Sequence, residues 1–247
     1  MMHMKGLSSQ SIALAKKELY SALNSPATYG VWAFFLLFNS ITFFYLQKFF
    51  SLDSATLRPY FSVIPLVYTL LIPAITMKSW AEERKTGTAE LLLTMPFSEW
   101  DLVLGKFLSS LIILVIALVL TLGVPFSLFP LGDFDGGVII SEYIGALLLG
   151  MAAVALGQLF SSLAKNQISA FLGGVVVLLA VMLLNQLTSL MDLPKILADI
   201  LNYLSLAFHF ESFARGILDS RDILFFILVT LLFLFINTRV LLFRKWS

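Results

Sequence analysis

Residues 81–106, AEERKTGTAELLLTMPFSEWDLVLGK, decide the fold, because they set a polar island between two apolar runs of membrane length. Glu82, Glu83, Arg84, Lys85, Glu90, Glu99, Asp101 and Lys106 crowd into it, whereas the whole chain is 59% hydrophobic and 13% charged. Thr86-Gly87-Thr88 interrupts the charged run, and Ala89–Thr94 resumes as a helix carrying Leu91, Leu92 and Leu93. Met95-Pro96 ends that helix, since a residue before proline is pushed out of the helical region. Ser98-x-x-Asp101 then fits a capping box opening the next helix, which runs through Trp100 into an apolar span. Three consecutive leucines in a solvated loop need cover, from the membrane surface or from a partner protein. The stretch therefore reads as a docking surface built on a short helix parallel to the membrane.

Outward from it, the composition sets the class. A mean hydropathy of +0.94 over 247 residues, with 23 phenylalanines, lies far outside the soluble range. Six apolar runs, at roughly 27–47, 59–79, 107–129, 143–163, 168–190 and 223–243, each approach the ~20 residues that cross ~30 Å of hydrocarbon. The reading is an all-α polytopic membrane protein. Cysteine is absent, which excludes disulfides and thiolate metal sites. No cleavable leader is expected, because the first apolar run begins near Tyr29 behind a polar segment.

An even number of spans puts both termini on one side, and the basic residues say which. The side holding the termini, the 81–106 loop and the 164–167 turn carries Lys5, Lys16, Lys17, Lys78, Arg84, Lys85, Lys106, Lys165, Arg239, Arg244 and Lys245. The opposite side carries Lys48, Arg58, Lys195, Arg215 and Arg221, together with Asp133, Asp135 and Glu142 in a loop free of Lys and Arg. Both termini are thus expected on the cytoplasmic side of the membrane.

Ahead of the first span, residues 5–25 form an amphipathic pattern. Ile12, Ala15, Leu19, Ala22 and Leu23 share one face, with Leu14 as a misfit. An interfacial helix is expected, favoured by anionic membrane lipid. Pro65 and Pro73 predict a kinked second span. In the fourth span Ala146, Gly150, Ala153 and Gly157 fall at i, i+4, i+7 and i+11, a stripe of small residues that predicts a close helix–helix seam. The 191–222 segment predicts one or two short outer helices, packed on the outer face or re-entrant. Within it, Glu211–Arg215 and Arg215–Asp219 are spaced for ion pairs, and Ser220 is placed to cap the last span.

The residues also exclude chemistry. No span centre carries an ionisable group, which disfavours a proton- or sodium-coupled carrier. The pattern G-x-x-x-x-G-K-[ST] does not occur, His3 and His209 stand isolated, and no H-E-x-x-H or nucleophile–histidine set is present. Neither metal nor cofactor is expected on this chain, nor a nucleic-acid partner.

With these residues in hand, W-A-E-E-R-K-T-G-T-A-E-L-L-L-T-M-P-F-S-E-W-D-L-V-L-G-K resembles the cytoplasmic loop of type-2 ABC exporter permeases. The gliding-motility-associated branch and its nitrous-oxide-maturation relatives are the nearest in pattern. Ser161-Ser162-Leu163 with Asn166-Gln167, His209-Phe210-Glu211-Ser212-Phe213 with Arg215-Gly216, and Ser25-Pro26 agree in order along the chain. The resemblance implies a non-catalytic permease subunit whose coupling helix sits in a groove of a separate ATP-binding subunit. The contact would fall on Glu82, Glu83, Arg84, Lys85, Thr86, Gly87, Thr88 and Glu90. ATP and magnesium would bind on that partner chain, and a second transmembrane half, a self copy or a distinct protein, would complete the exporter. A secondary carrier and a non-transporting membrane scaffold are the alternative functions.

Overall fold

A computed structural model describes residues 9–51, 55–88, 97–190 and 194–245. Helix α1 spans Ser9–Leu23 and α2 Pro26–Ile41, with Pro26 in the first turn, where its missing N–H costs nothing. α2 loosens into a π-type turn at Thr42–Leu46. Next come α3 (Arg58–Ser62), α4 (Ile64–Thr76) and α5 (Lys78–Thr86). α6 (Glu99–Thr121) continues nearly unbroken into α7 (Gly123–Leu128). α8 (Gly136–Leu163), α9 (Gln167–Leu190), α10 (Lys195–Leu204), α11 (Leu206–Ala214) and α12 (Ser220–Lys245) complete the chain. Among the described residues, six helical stretches are long and apolar enough to cross a membrane: Pro26–Ser51, Ile64–Thr86, Glu99–Leu131, Gly136–Leu163, Gln167–Gln186 and Ser220–Phe243. The fold is an all-α polytopic membrane protein.

The two prolines act differently from one another. Pro65 lies in the first turn of α4, so the bend it accompanies falls before the helix, at Val63. Pro73 sits inside α4, and Met77, still helical in φ and ψ, separates α4 from α5.

α8 is the centre of the bundle. Ala146, Ala152, Ala153 and Ala155 are fully buried, and three of its glycines admit neighbours where a Cβ would stand. At Gly145 that neighbour is Phe213 of α11, at Gly150 Leu114 of α6 and Tyr68 of α4, and at Gly157 Thr76 of α4. The small stripe thus faces α4 and α6. Tyr68 adds a hydrogen bond from its hydroxyl to the Ala146 carbonyl (3.2 Å). Gln158 reaches from α8 to donate to the Val103 carbonyl of α6 (3.0 Å).

At the end of α8 near Gly136, α10 and α11 cap the bundle. Ser141 Oγ donates to the Phe213 carbonyl. His209 is buried, its Nδ1 2.7 Å from Asp222 of α12 and its Nε2 3.0 Å from the Tyr203 carbonyl, with its ring stacked on Phe225 at 3.7 Å. The histidine isolated in the sequence therefore fastens α11 to the last span.

Several expectations are corrected here. Glu142 is not in a loop: Asp135 caps α8 by accepting from the Gly137 and Val138 N–H groups, so the helix starts early and carries Glu142 fully buried in its second turn. Asp219, not Ser220, caps α12, accepting from the Arg221 N–H at 2.8 Å. α11 ends at Ala214, which removes the helical spacing of Arg215 to Asp219. Glu211 accepts from Asn185 Nδ2 instead of meeting Arg215.

Candidate functional site

The site grows from Met77, between α4 and α5. Beyond it α5 needs partners for its first backbone N–H groups, which no residue within the helix supplies. Ser161, at the far end of α8, gives them: its Oγ accepts from the Trp80 N–H (3.1 Å) and the Ala81 N–H (3.3 Å), and donates to the Met77 carbonyl. One turn on, Arg84 donates to the Ala164 carbonyl just past α8. α5 closes at Gly87, whose φ of 73° is the left-handed conformation that ends helices and that glycine adopts freely.

The inner face of α5 is held by charge. Lys106 of α6 is 2% exposed, the sort of burial an ammonium tolerates only when paired. Its Nζ lies 2.7 Å from Glu83 and 3.3 Å from Glu18 of α1, and 4.9 Å from the centre of the Trp80 ring. One cation thus joins α1, α5 and α6. α1 is also fastened to α6 by Ser11 Oγ donating to Asp101 (2.8 Å) and by Leu14 lying over Gly105, where a Cβ would stand 2.9 Å from Leu14 Cδ2. Ser98 caps α6 as its spacing predicts, its Oγ accepting from the Asp101 N–H.

The stripe Ser11, Leu14, Ala15 and Glu18 is therefore the inner face of α1. Leu14, the misfit of the amphipathic pattern, is buried, while Ile12 remains 43% exposed. Of the apolar face expected from periodicity, Ala15 is buried and Leu19, Ala22 and Leu23 pack against the core, so the departures are Ile12 and Leu14, which lies over Gly105.

The residues expected at a partner contact divide into two sets. Glu82, Lys85, Thr86, Gly87 and Thr88 are exposed. Glu83 and Arg84 turn inward and are occupied by Lys106 and Ala164. Glu90 lies outside the described residues, as does the helix expected over 89–94. Lys106, Glu18 and Ser161 belong to the site and carried no assigned role in the sequence reading; the signal for Lys106 was a lone lysine entering an apolar span.

A cavity of about 940 Å³ opens beside this junction, bounded by α1, the start of α2, α4–α5 and α6. Lys17, Glu18, Lys78, Glu82, Glu83 and Lys106 supply its charged lining, and Thr88 and Phe97, on either side of 89–96, also border it.

A family model described as ABC-2 family transporter protein matches residues 12–245. The probable multidrug ABC transporter permease YbhR of Escherichia coli strain K12, and its counterpart in Escherichia coli O157:H7, are 27% identical to the chain over 156 residues. That alignment takes in 63% of this chain and 42% of each relative, so the chain spans about two fifths of the length of the curated relatives it matches. The family match takes in all six long apolar helices and the Lys106 junction: the chain belongs to the ABC-2 family of transporter proteins and is a multi-pass transmembrane protein.

Proposed function

We propose that this chain is the membrane subunit of an ATP-driven exporter of the gliding-motility-associated branch. The exposed face of α5 and the loop that follows it would dock on a separate ATP-binding subunit. The observation that carries the reading is the grip on α5. A displacement of its exposed face is passed through Ser161 to α8, through Lys106 to α6, and through Glu18 to α1. Rigid elements joined this way move as one body, which is the usual form of such transitions. ATP and magnesium belong to the partner, and the permease holds no catalytic group. Both termini and the 81–106 loop lie in the cytoplasm, and the membrane is the bacterial inner membrane.

A second membrane half completes the transporter, a copy of this chain or a distinct protein. The large apolar residues exposed along α2, α9 and α12, among them Leu37, Val176 and Leu228, provide surface for it and for lipid. The relatives are named as probable multidrug permeases, which supports a small-molecule cargo for this chain.

The test uses the residues that face outward. Lys85→Glu and Gly87→Trp, co-expressed in membranes with the ATP-binding subunit, should each lower co-purified ATPase about tenfold or more, since losing an interfacial charge partner or a packed anchor costs about 2–5 kcal/mol. Insertion and span packing should stay as in the wild type. Wild-type recovery of the ATPase by both variants, with its hydrolysis still stimulated, overturns the coupling role. Transport without any ATPase would favour a secondary carrier, and ATPase binding without stimulation a scaffold.

A further inference from the structure

The cavity beside α5 does not end at its charged lining. Ala27, Val31 and Ala74 also line a second cavity of about 320 Å³, which runs on between α2, α4 and α9 past Gly30, Phe34, Leu70 and Phe171. The two cavities adjoin across these three residues, one with a charged lining and one almost wholly apolar. Phe34 and Leu70, in the apolar cavity, are 42% and 40% exposed, so that cavity is open sideways where the bundle meets hydrocarbon. Gly30 borders it with no atom within 4 Å of where a Cβ would stand.

The charges lining the cavity beside α5 are balanced, three lysines against three glutamates. Lys106 is held between Glu83 and Glu18, and the ammonium of Lys78 reaches the Ser25 hydroxyl at 3.4 Å. Lys78 and Glu82, four residues apart on α5, present a cation and a carboxylate on one helical face of that cavity. Basic pockets between membrane helices near the interface take lipid phosphates, and a carboxylate beside the cation adds a place for an ammonium.

We propose that these adjoining cavities bind a zwitterionic, ammonium-bearing glycerophospholipid of the surrounding leaflet. Its phosphate sits on Lys78, its primary ammonium on Glu82, and one acyl chain lies along Gly30, Phe34, Leu70 and Phe171. A lateral opening into hydrocarbon and an acyl-shaped groove suit a membrane lipid better than a water-borne solute. The site is independent of the ATPase reading, because lipid retention is measured on the permease alone.

The experiment is native mass spectrometry of the lipid-stripped permease in mild detergent, titrated separately with phosphatidylethanolamine, phosphatidylglycerol and phosphatidylcholine. The wild type should retain phosphatidylethanolamine about fivefold more tightly than either of the others. Glu82→Gln should bring it down to the level of phosphatidylcholine, whose ammonium has no N–H to donate. Lys78→Gln should weaken all three by about fivefold, the share of one lysine near a lipid phosphate. Gly30→Phe should weaken all three about tenfold by filling the acyl groove, with an unchanged melting temperature because the space beside Gly30 is open. Equal retention of the three lipids by the wild type, tighter retention of phosphatidylglycerol, or indifference to Gly30→Phe in a folded protein overturns the proposal.

Discussion

Removing the ammonium of Lys106 leaves two carboxylates facing each other across a buried junction. Glu83 is 15% and Glu18 24% exposed, so Glu18 keeps part of its hydration and Glu83 little. Breaking a buried pair by deleting one partner typically costs about 3–5 kcal/mol, and the hydration of Glu18 puts this case near the lower figure. Lys106→Met should lower the melting temperature in detergent and detach α1, read as faster proteolysis ahead of Pro26. Adding Glu83→Gln to Lys106→Met should recover part of the loss, because it removes one of the stranded charges. Additive losses from the two changes would show that the junction is not coupled. This residue was hard to read from the sequence for a plain reason: its partners are 23 and 88 positions away. Spacing within one helix carries no trace of them. Leu14 escaped for the same reason, since its burial depends on Gly105 in another helix.

Among the elements, α8 is set apart by how little of it faces outward. Its small residues let α4, α6 and α11 approach closely, and a larger side chain has nowhere to go. Gly150→Leu should cost about 1–3 kcal/mol through overpacking against Leu114 and Tyr68, seen as reduced folded yield. Gly123→Ala, where no atom lies within 4 Å of the added carbon, should leave the yield unchanged or raise it. A normal yield from Gly150→Leu would mean that the stripe is not a tight seam. The stripe itself was legible, because four small residues at helical spacing in a bulky span are a local pattern. The start of the helix was not: Asp135-Gly136-Gly137 reads as a turn, and only the two N–H groups directed at Asp135 show it to be a cap. Glu142 went from loop to interior with that shift.

For the whole molecule the six spans were legible, because crossing hydrocarbon requires length and hydropathy that each run carries alone. The short outer helices α10 and α11 were legible too, from the interrupted apolar stretch before the last span, whereas the assembly around α8 depends on contacts between distant segments and had no such signature. The orientation rests on the uneven basic residues and has its own test. A cysteine at Asp135 should react with a membrane-impermeant thiol reagent added outside intact cells, and one at Ser98 should not. The native chain contributes no background, having no cysteine. The reverse pattern would invert the protein and remove the docking role of α5.

The tie between Ser11 and Asp101 also has a meaning in time. The two residues are 90 positions apart, and a ribosome adding roughly 5–20 residues each second needs about 5–18 s to make the second after the first. Through that interval α1 has emerged without the helix that covers Leu14, Ala15 and Glu18. The nascent protein therefore carries its first helix uncovered until the third span has been made.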